Sequence, residues 1–242
     1  MNQLLIFATQ PQRCSYLRGE LAVNVVVDPR ATLGPATYQQ VIDLGFRRSG
    51  STVYAPHCPN CRACVPLRVP VEAFRPNRSQ RRNLRTNSQL EVRMQPARYT
   101  DEYFRLYACY LAARHPGGGM DDPTPSSLEE FLFTDWCETR FVEFRLRGRL
   151  LGVAVTDLLP NGLSAVYTFF DPAEGTRRGL GNYAVLWQID EARRRGLPYL
   201  YLGYWIAECE KMRYKSQFQG AEGFVDGQWL PISGTERRTG TQ

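Results

Sequence analysis

Lysine is almost missing from this 242-residue chain: Lys211 and Lys215 are the only two, so arginine carries nearly all of a formal net charge of +6. Arginine suits planar, bidentate contacts to phosphate and carboxylate better than lysine does. No run of apolar residues approaches the roughly 18 that a spanning helix needs, which excludes a membrane span. The beginning, Leu4-Leu5-Ile6-Phe7, is apolar for four residues and has no basic flank, so no secretory leader is expected. Seven cysteines, an odd number, three of them within seven residues, argue against a disulfide framework and for reduced thiols in a cytoplasm. No internal repeat or low-complexity run is present, and no Ser/His pair suggests a covalent nucleophile. With 43% hydrophobic residues the chain can build a sizeable core, as one large domain or two small ones.

The first half reads as short pieces. Gly34-Pro35 opens a helix that closes near Gly45, with Pro just inside the start and Gly just past the end. Residues 51–54, 65–71 and 90–94 read as strands; Pro66 and Pro70 demote the second to an edge or irregular strand. Asn77 caps a helix through Arg85. Thr100-Asp101-Glu102 starts another, whose Tyr103, Leu106, Tyr107, Tyr110 and Leu111 recur at helical spacing and so face a core. A boundary is expected near residue 98, dividing a smaller cysteine-containing N-terminal α/β domain (1–98) from a C-terminal domain (99–242). The second half is plainer: strands at 141–146, 150–159 and 163–170 joined by tight turns, Asn161-Gly162 being a hairpin signal; a helix over 182–195; a strand over 198–205; and a helix over 208–216 on which Lys211 and Lys215 share a face. Three antiparallel strands, a helical crossover and a parallel strand make a mixed sheet of α+β class. That order matches the N-acetyltransferase-like (GNAT) fold, in which 163–170 and 199–205 are the strands expected to splay around an acyl donor.

Four segments carry chemistry. Cys58, Cys61 and Cys64, with Cys14 or His57 as a fourth ligand, have a spacing that converges on one metal, zinc or iron–sulfur, or simply on buried thiols; both readings stand. Arg78, Arg81, Arg82 and Arg85 lie at i, i+3, i+4 and i+7 with no acid interleaved from Arg75 to Arg85, which points to phosphate or an acidic substrate. Thr176-Arg177-Arg178-Gly179-Leu180-Gly181 opens the crossover helix and partly matches a pyrophosphate cradle, the mark of a coenzyme A-dependent acetyltransferase. On strand 199–205, alternation puts Tyr201, Gly203 and Trp205 on one face and Leu202, Tyr204 and Ile206 on the other.

Taken together the blocks resemble one family. They are Cys14-Ser15-Tyr16-Leu17, Phe46-Arg47-Arg48-Ser49-Gly50, Tyr54-Ala55-Pro56-His57-Cys58 with Cys61 and Cys64, the 74–82 arginine segment, 163–172, and Tyr201-Leu202-Gly203-Tyr204-Trp205-Ile206 through Cys209, Lys211, Met212, Tyr214 and Lys215. The family is the aminoacyl-tRNA–protein transferases acting on N-terminal Asp or Glu. The short length, the Gly-Gly-Gly-Met-Asp-Asp loop and Leu17, where arginyl-transferring members carry a second Cys, resemble the bacterial aspartate/glutamate leucyltransferase branch. The resemblance implies leucyl-tRNA as donor, acceptor proteins with N-terminal Asp or Glu, a product marked for degradation, no required cofactor, and neither DNA nor membrane as partner. A non-catalytic tRNA-binding module is the alternative from another class. For the site it points to Tyr167, Phe169, Tyr204 and Trp205 lining the splay, Asp171 or Asp157 as base or amine orienter, Arg78, Arg81 and Arg82 holding the acceptor carboxylate or tRNA phosphates, and Lys211 and Lys215 holding the tRNA end.

Overall fold

The computed structural model describes residues 4–114 and 122–232; the glycine-rich segment 115–121 singled out in the sequence lies outside them. The chain begins with strands β1 (Ile6–Ala8), β2 (Gln12–Arg13), β3 (Leu21–Ala22) and β4 (Asn24–Val27), helix α1 (Pro35–Asp43), and strands β5 (Arg47–Ser49) and β6 (Thr52–Pro56). Then come β7 (Val65–Pro70), α2 (Arg78–Thr86), β8 (Glu91–Pro96), α3 (Asp101–Arg114) and α4 (Pro125–Leu132). The remainder is β9 (Glu138–Leu146), β10 (Arg149–Leu159), β11 (Gly162–Phe170), α5 (Pro172–Arg178), α6 (Leu180–Arg194), β12 (Tyr199–Trp205), a 3₁₀ segment (Glu210–Gln217), β13 (Glu222–Val225) and β14 (Gln228–Pro231).

A mixed eight-stranded sheet in the order β14-β13-β7-β12-β11-β10-β9-β8 dominates, beside a four-stranded sheet β1-β4-β6-β5 and the β2–β3 pair. Alternation along β10 separates its faces: Val153 and Val155 join the cluster under α3 and α4, while Ala154 joins the one under α6. Near β12 the α3 side is continued by α1, whose Tyr38, Val41 and Ile42 meet Leu159 and Tyr201. The opposite side is filled by Val185, Leu186 and Ile189 of α6 against Leu67, Val69, Leu163 and Leu200. No helix of the described residues is long and apolar enough to cross a membrane.

Helix starts follow their caps. Pro35 stands at the first turn of α1, and Asn77 forms a reciprocal capping box with Gln80. Helices α4 and α5, absent from the sequence reading, carry the same signals: Thr124 with Pro125, and Asp171 with Pro172.

Three expectations need correction. Strand β7, expected at an edge or irregular, is irregular in its ladder to β12 but not at an edge: it lies between β12 and β13. Its prolines are tolerated because β13 meets only Leu67 and Arg68, between them, and because the ladder to β12 slips opposite the same stretch. Lys211 and Lys215 do not share a face. Their segment is 3₁₀, not α, so i and i+4 diverge by about a third of a turn. Alternation along β12 also fails. The register slips between Tyr201 and Gly203, leaving Leu202 unpaired, and Gly203 takes φ +76°. Tyr201 therefore lies under α1 and Trp205 in the α6 cluster, on opposite faces. The sheet takes β7 and β8 from before residue 98 and its other strands from after it.

Candidate active site

Strands β11 and β12 are parallel but pair only at Gly162–Tyr199, Leu163–Leu200 and Ser164–Tyr201. Beyond that, β11 runs on to Phe170 and β12 to Trp205 without pairing. Each strand carries an irregularity where they part: Val166 is skipped between the pairs Val155–Tyr167 and Thr156–Ala165, and Leu202 is skipped opposite β7. A bulge bends its strand and increases the local twist, so two bulges side by side turn the strands apart. Burial records the gap. Leu163, Ser164, Leu200, Tyr201 and Leu202 are buried, whereas residues 165–168 and 203–205 are partly open to solvent.

Tyr167 is on the α3 side of this opening. Its ring meets Tyr107, Tyr110 and Phe131 edge-on, and its hydroxyl is buried without a partner among the described residues. Burial raises that hydroxyl's pKa above the ordinary tyrosine range, with Tyr110, Tyr107 and Tyr16 adding to it; it is a neutral donor at any working pH. Trp205 also has an unpartnered buried Nε1, but on the other face. Tyr204 donates its hydroxyl to Gly45 O (3.0 Å) and Tyr54 O (3.2 Å), fastening β12 to the N-terminal sheet. Phe169 is fully buried against Tyr107 and Phe141 and forms core rather than cleft wall.

The two acids take structural places. Asp157, with no exposed side-chain surface, accepts from Arg48 Nε and Nη2 at 2.7 Å each and from Thr139 Oγ1 at 2.8 Å. Asp171 caps α5, accepting from Ala173 N (3.0 Å) and Glu174 N (3.1 Å), and also takes Arg149.

Lys215 bends inward and donates to Tyr204 O at 2.7 Å. Burial, and then the neighbouring Arg47, lower its ammonium pKa to about 7. Lys211 stays outside and donates to Arg114 O at 3.1 Å. Arg78, Arg81, Arg82 and Arg85 lie exposed along α2, whose inner face is tied to the 3₁₀ segment by Gln80 Nε2 to Gln217 O (3.3 Å). Lys211, Arg213 and the α2 arginines thus border the same end of the molecule. Residues missed by the sequence reading are Arg47, Tyr54 and Gly203. The signal for Arg47 was present: two arginines between Gly45 and Gly50, too short a segment to solvate both.

The segment that partly matches a pyrophosphate cradle is the junction of α5 and α6. Residues 176–178 form the last turn of α5, Gly179 N donates to Gly175 O, and Asn83 Nδ2 covers the junction by donating to Arg178 O (2.8 Å) and Gly179 O (3.2 Å). Near the N-terminal end of the 3₁₀ segment the cysteines gather: Cys14 Sγ accepts from Tyr16 N and Leu17 N at 3.4 Å, and Cys58 is hydrogen-bonded to Val23 O. Burial lifts the Cys64 thiol to about 12, with Cys58, Cys14, Cys61 and Cys209 adding to it. The thiols gather, yet among the described residues no three His, Cys, Asp or Glu side chains are arranged to hold a metal ion.

Comparison with known proteins identifies the family. Residues 12–82 match the family model for the arginine-tRNA-protein transferase N terminus, and 102–225 that for its C terminus. An aspartate/glutamate leucyltransferase of Pseudomonas fluorescens (strain Pf0-1) is 50% identical over 233 residues, 96% of this chain and 99% of that one. One from Alkalilimnicola ehrlichii is 50% identical over 234 residues, covering 96% and 98%, and one from Marinobacter nauticus 49% over 233 residues, covering 96% and 98%. The chain belongs to the arginine-tRNA-protein transferase family of aminoacyl-tRNA–protein transferases.

Proposed function

We propose that this enzyme moves leucine from leucyl-tRNA to the α-amino group of proteins beginning with Asp or Glu, marking them for degradation, in the cytoplasm where charged tRNA is found. The donor and the acceptor residues are those in the names of relatives about half identical over nearly the whole length. The observation that carries the reading is the coincidence of lost pairing and solvent exposure along β11 and β12. The strand order and this parting support reading the sheet on the plan of N-acetyltransferase-like (GNAT) enzymes, whose acyl donor enters there.

The acceptor amine attacks the ester carbonyl of the leucyl group. The carbon–nitrogen bond forms, the ester carbon–oxygen bond breaks, and the ribose oxygen leaves with a proton originating on the amine. An α-amine titrates at about 7.7–8.0, so much of it is already neutral and no strong base is needed. Orientation and stabilisation of the developing oxyanion supply the rate. We assign the Tyr167 hydroxyl, neutral and without a partner among the described residues, the role of hydrogen-bond donor to the carbonyl oxygen. The α2 arginines, with Lys211 and Arg213, supply the basic surface for the RNA. We route no step through a metal; a structural zinc or iron–sulfur centre on Cys14, Cys58, Cys61 and Cys64 is a separate proposal, with Cys209 close by.

The test is direct. Labelled leucyl-, arginyl- and phenylalanyl-tRNA are incubated with peptides beginning Asp, Glu, Lys and Arg. Label should pass from leucyl-tRNA to the Asp and Glu peptides. Transfer from arginyl-tRNA instead reassigns the donor, and transfer from none of them overturns the reading.

A further inference from the structure

Arg47 differs from its neighbour. Arg48 is matched by Asp157, but Arg47, 6% exposed, has a single hydrogen bond, from Nη2 to Leu67 O at 2.9 Å. Its Nε and Nη1 are buried without partners among the described residues. An idle donor on a buried charge is costly. Across from it stands Lys215, with one of its three N–H groups used by Tyr204 O. Both face Gly203. A Cβ there would lie 3.5 Å from Lys215 Nζ and 3.9 Å from Arg47 Nε, and the +76° φ keeps side chains away. The space is on the part of β12 that has left β11 and is open to solvent.

We infer that Arg47 and Lys215, meeting over Gly203, form the subsite for the side-chain carboxylate of the acceptor's N-terminal Asp or Glu. This rests on the proposal above that the acceptor begins with an acid. Two adjacent cations with no carboxylate between them call for an anion, and a guanidinium edge beside an ammonium fits a planar one. A carboxylate on one or two methylenes can enter a recess one missing side chain wide. A phosphodiester, held between two riboses, cannot, and is better served by the exposed arginines of α2. The flexible Lys215 stem allows for the extra methylene of Glu over Asp. The depressed Lys215 pKa is what such a recess shows before its anion arrives.

The experiment compares kcat/KM for peptides beginning Asp, Glu, Asn and Gln, with leucyl-tRNA as donor, in the wild type, Lys215→Gln and Lys215→Arg. Lys215→Gln should narrow the Asp-to-Asn and Glu-to-Gln preferences at least tenfold, through KM, and Lys215→Arg should keep most of them. Should Lys215→Gln not fold, binding of Asp and Asn peptides to the wild type by calorimetry near pH 7.5, in buffers of different ionisation enthalpy, answers the same question. The carboxylate restores the Lys215 proton, so the Asp peptide takes up more protons. The other groups around the pair are Tyr38, Tyr54, Tyr201 and Tyr204 beside Arg47, whose hydroxyl pKa values burial raises well above the ordinary tyrosine range, and Cys209 beside Lys215. Unchanged preferences, or equal proton uptake, overturn the subsite. A higher KM for leucyl-tRNA with the preferences intact gives the recess to RNA phosphate and overturns it too. A wild type that labels no acid-headed peptide brings down the functional reading, and the subsite with it, which is a different result from active transfer with an unmoved ratio.

Discussion

Asp157 accepts three hydrogen bonds, two from Arg48 and one from Thr139, and its side chain is shut off from solvent. Removing one member of such a pair leaves the other charge buried and unmatched. Asp157→Ala should therefore cost about 3–5 kcal/mol of stability, read by urea titration, whereas a base would instead lose kcat with its fold intact. Asp171→Ala should cost only about 1 kcal/mol, the worth of a helix cap. Lys215 gives a pH signature. Unfolded, its ammonium holds the proton to about 10.4; folded, only to about 7. Between these values the unfolded chain binds more protons, so this group makes stability rise with pH. Lys215→Met should gain most over the wild type below pH 7 and lose most of that advantage by about pH 10, measured by chemical denaturation at each pH. These differences were not legible in the sequence, because Asp157 near the end of β10 and Asp171 just after β11 both adjoin apolar runs, and only the third dimension supplies Arg48 to one and helix N–H groups to the other.

At the scale of the element, the α2 stripe emerged as the spacing required: Arg78, Arg81, Arg82 and Arg85 outward, Gln80 and Leu84 inward. If these arginines meet tRNA phosphates, Arg81→Ala with Arg82→Ala should weaken leucyl-tRNA binding and flatten its log–log salt dependence by roughly 0.7–0.9 for each phosphate no longer neutralised. An unaltered slope in a binding titration from low to high salt would remove them from the interface. Elements with long alternating runs, β9 to β11, and with explicit start signals, Pro35 for α1 and Asn77 for α2, could be read from residue order alone. What could not was local irregularity. Pro66 and Pro70 signalled an edge because proline lacks a donor, and the short β13 that makes an interior place tolerable comes some 150 residues later. The 3₁₀ geometry of 210–217 has no strong sequence mark, and it decides which lysine enters the site.

For the whole molecule, sheet continuity matters more than the order of segments. β7 supplies Leu67 and Val69 to the core beneath α6 and is the antiparallel neighbour of β12; β8 closes the far edge on β9. A 99–242 fragment lacks both, together with burial worth about 1.5–3 kcal/mol for each large apolar side chain. It should be unfolded or insoluble by circular dichroism and sedimentation, and co-expression with 1–98 should restore a folded complex. The mixed sheet and its parting strands were foreseeable from element order, since a crossover helix between parallel strands has few solutions. The joining of the N-terminal strands to that sheet was not.

That joining bears on which proteins can be substrates. With β5 held to β10 through Arg48 and Asp157, and β12 hung from the N-terminal sheet by Tyr204, swinging the halves open to swallow a folded surface would break a buried ion pair and two hydrogen bonds. Whatever is modified has to thread a loose leading end inward, so a polypeptide whose opening residues are already engaged in its own tertiary structure escapes, and one freshly cut or frayed is caught.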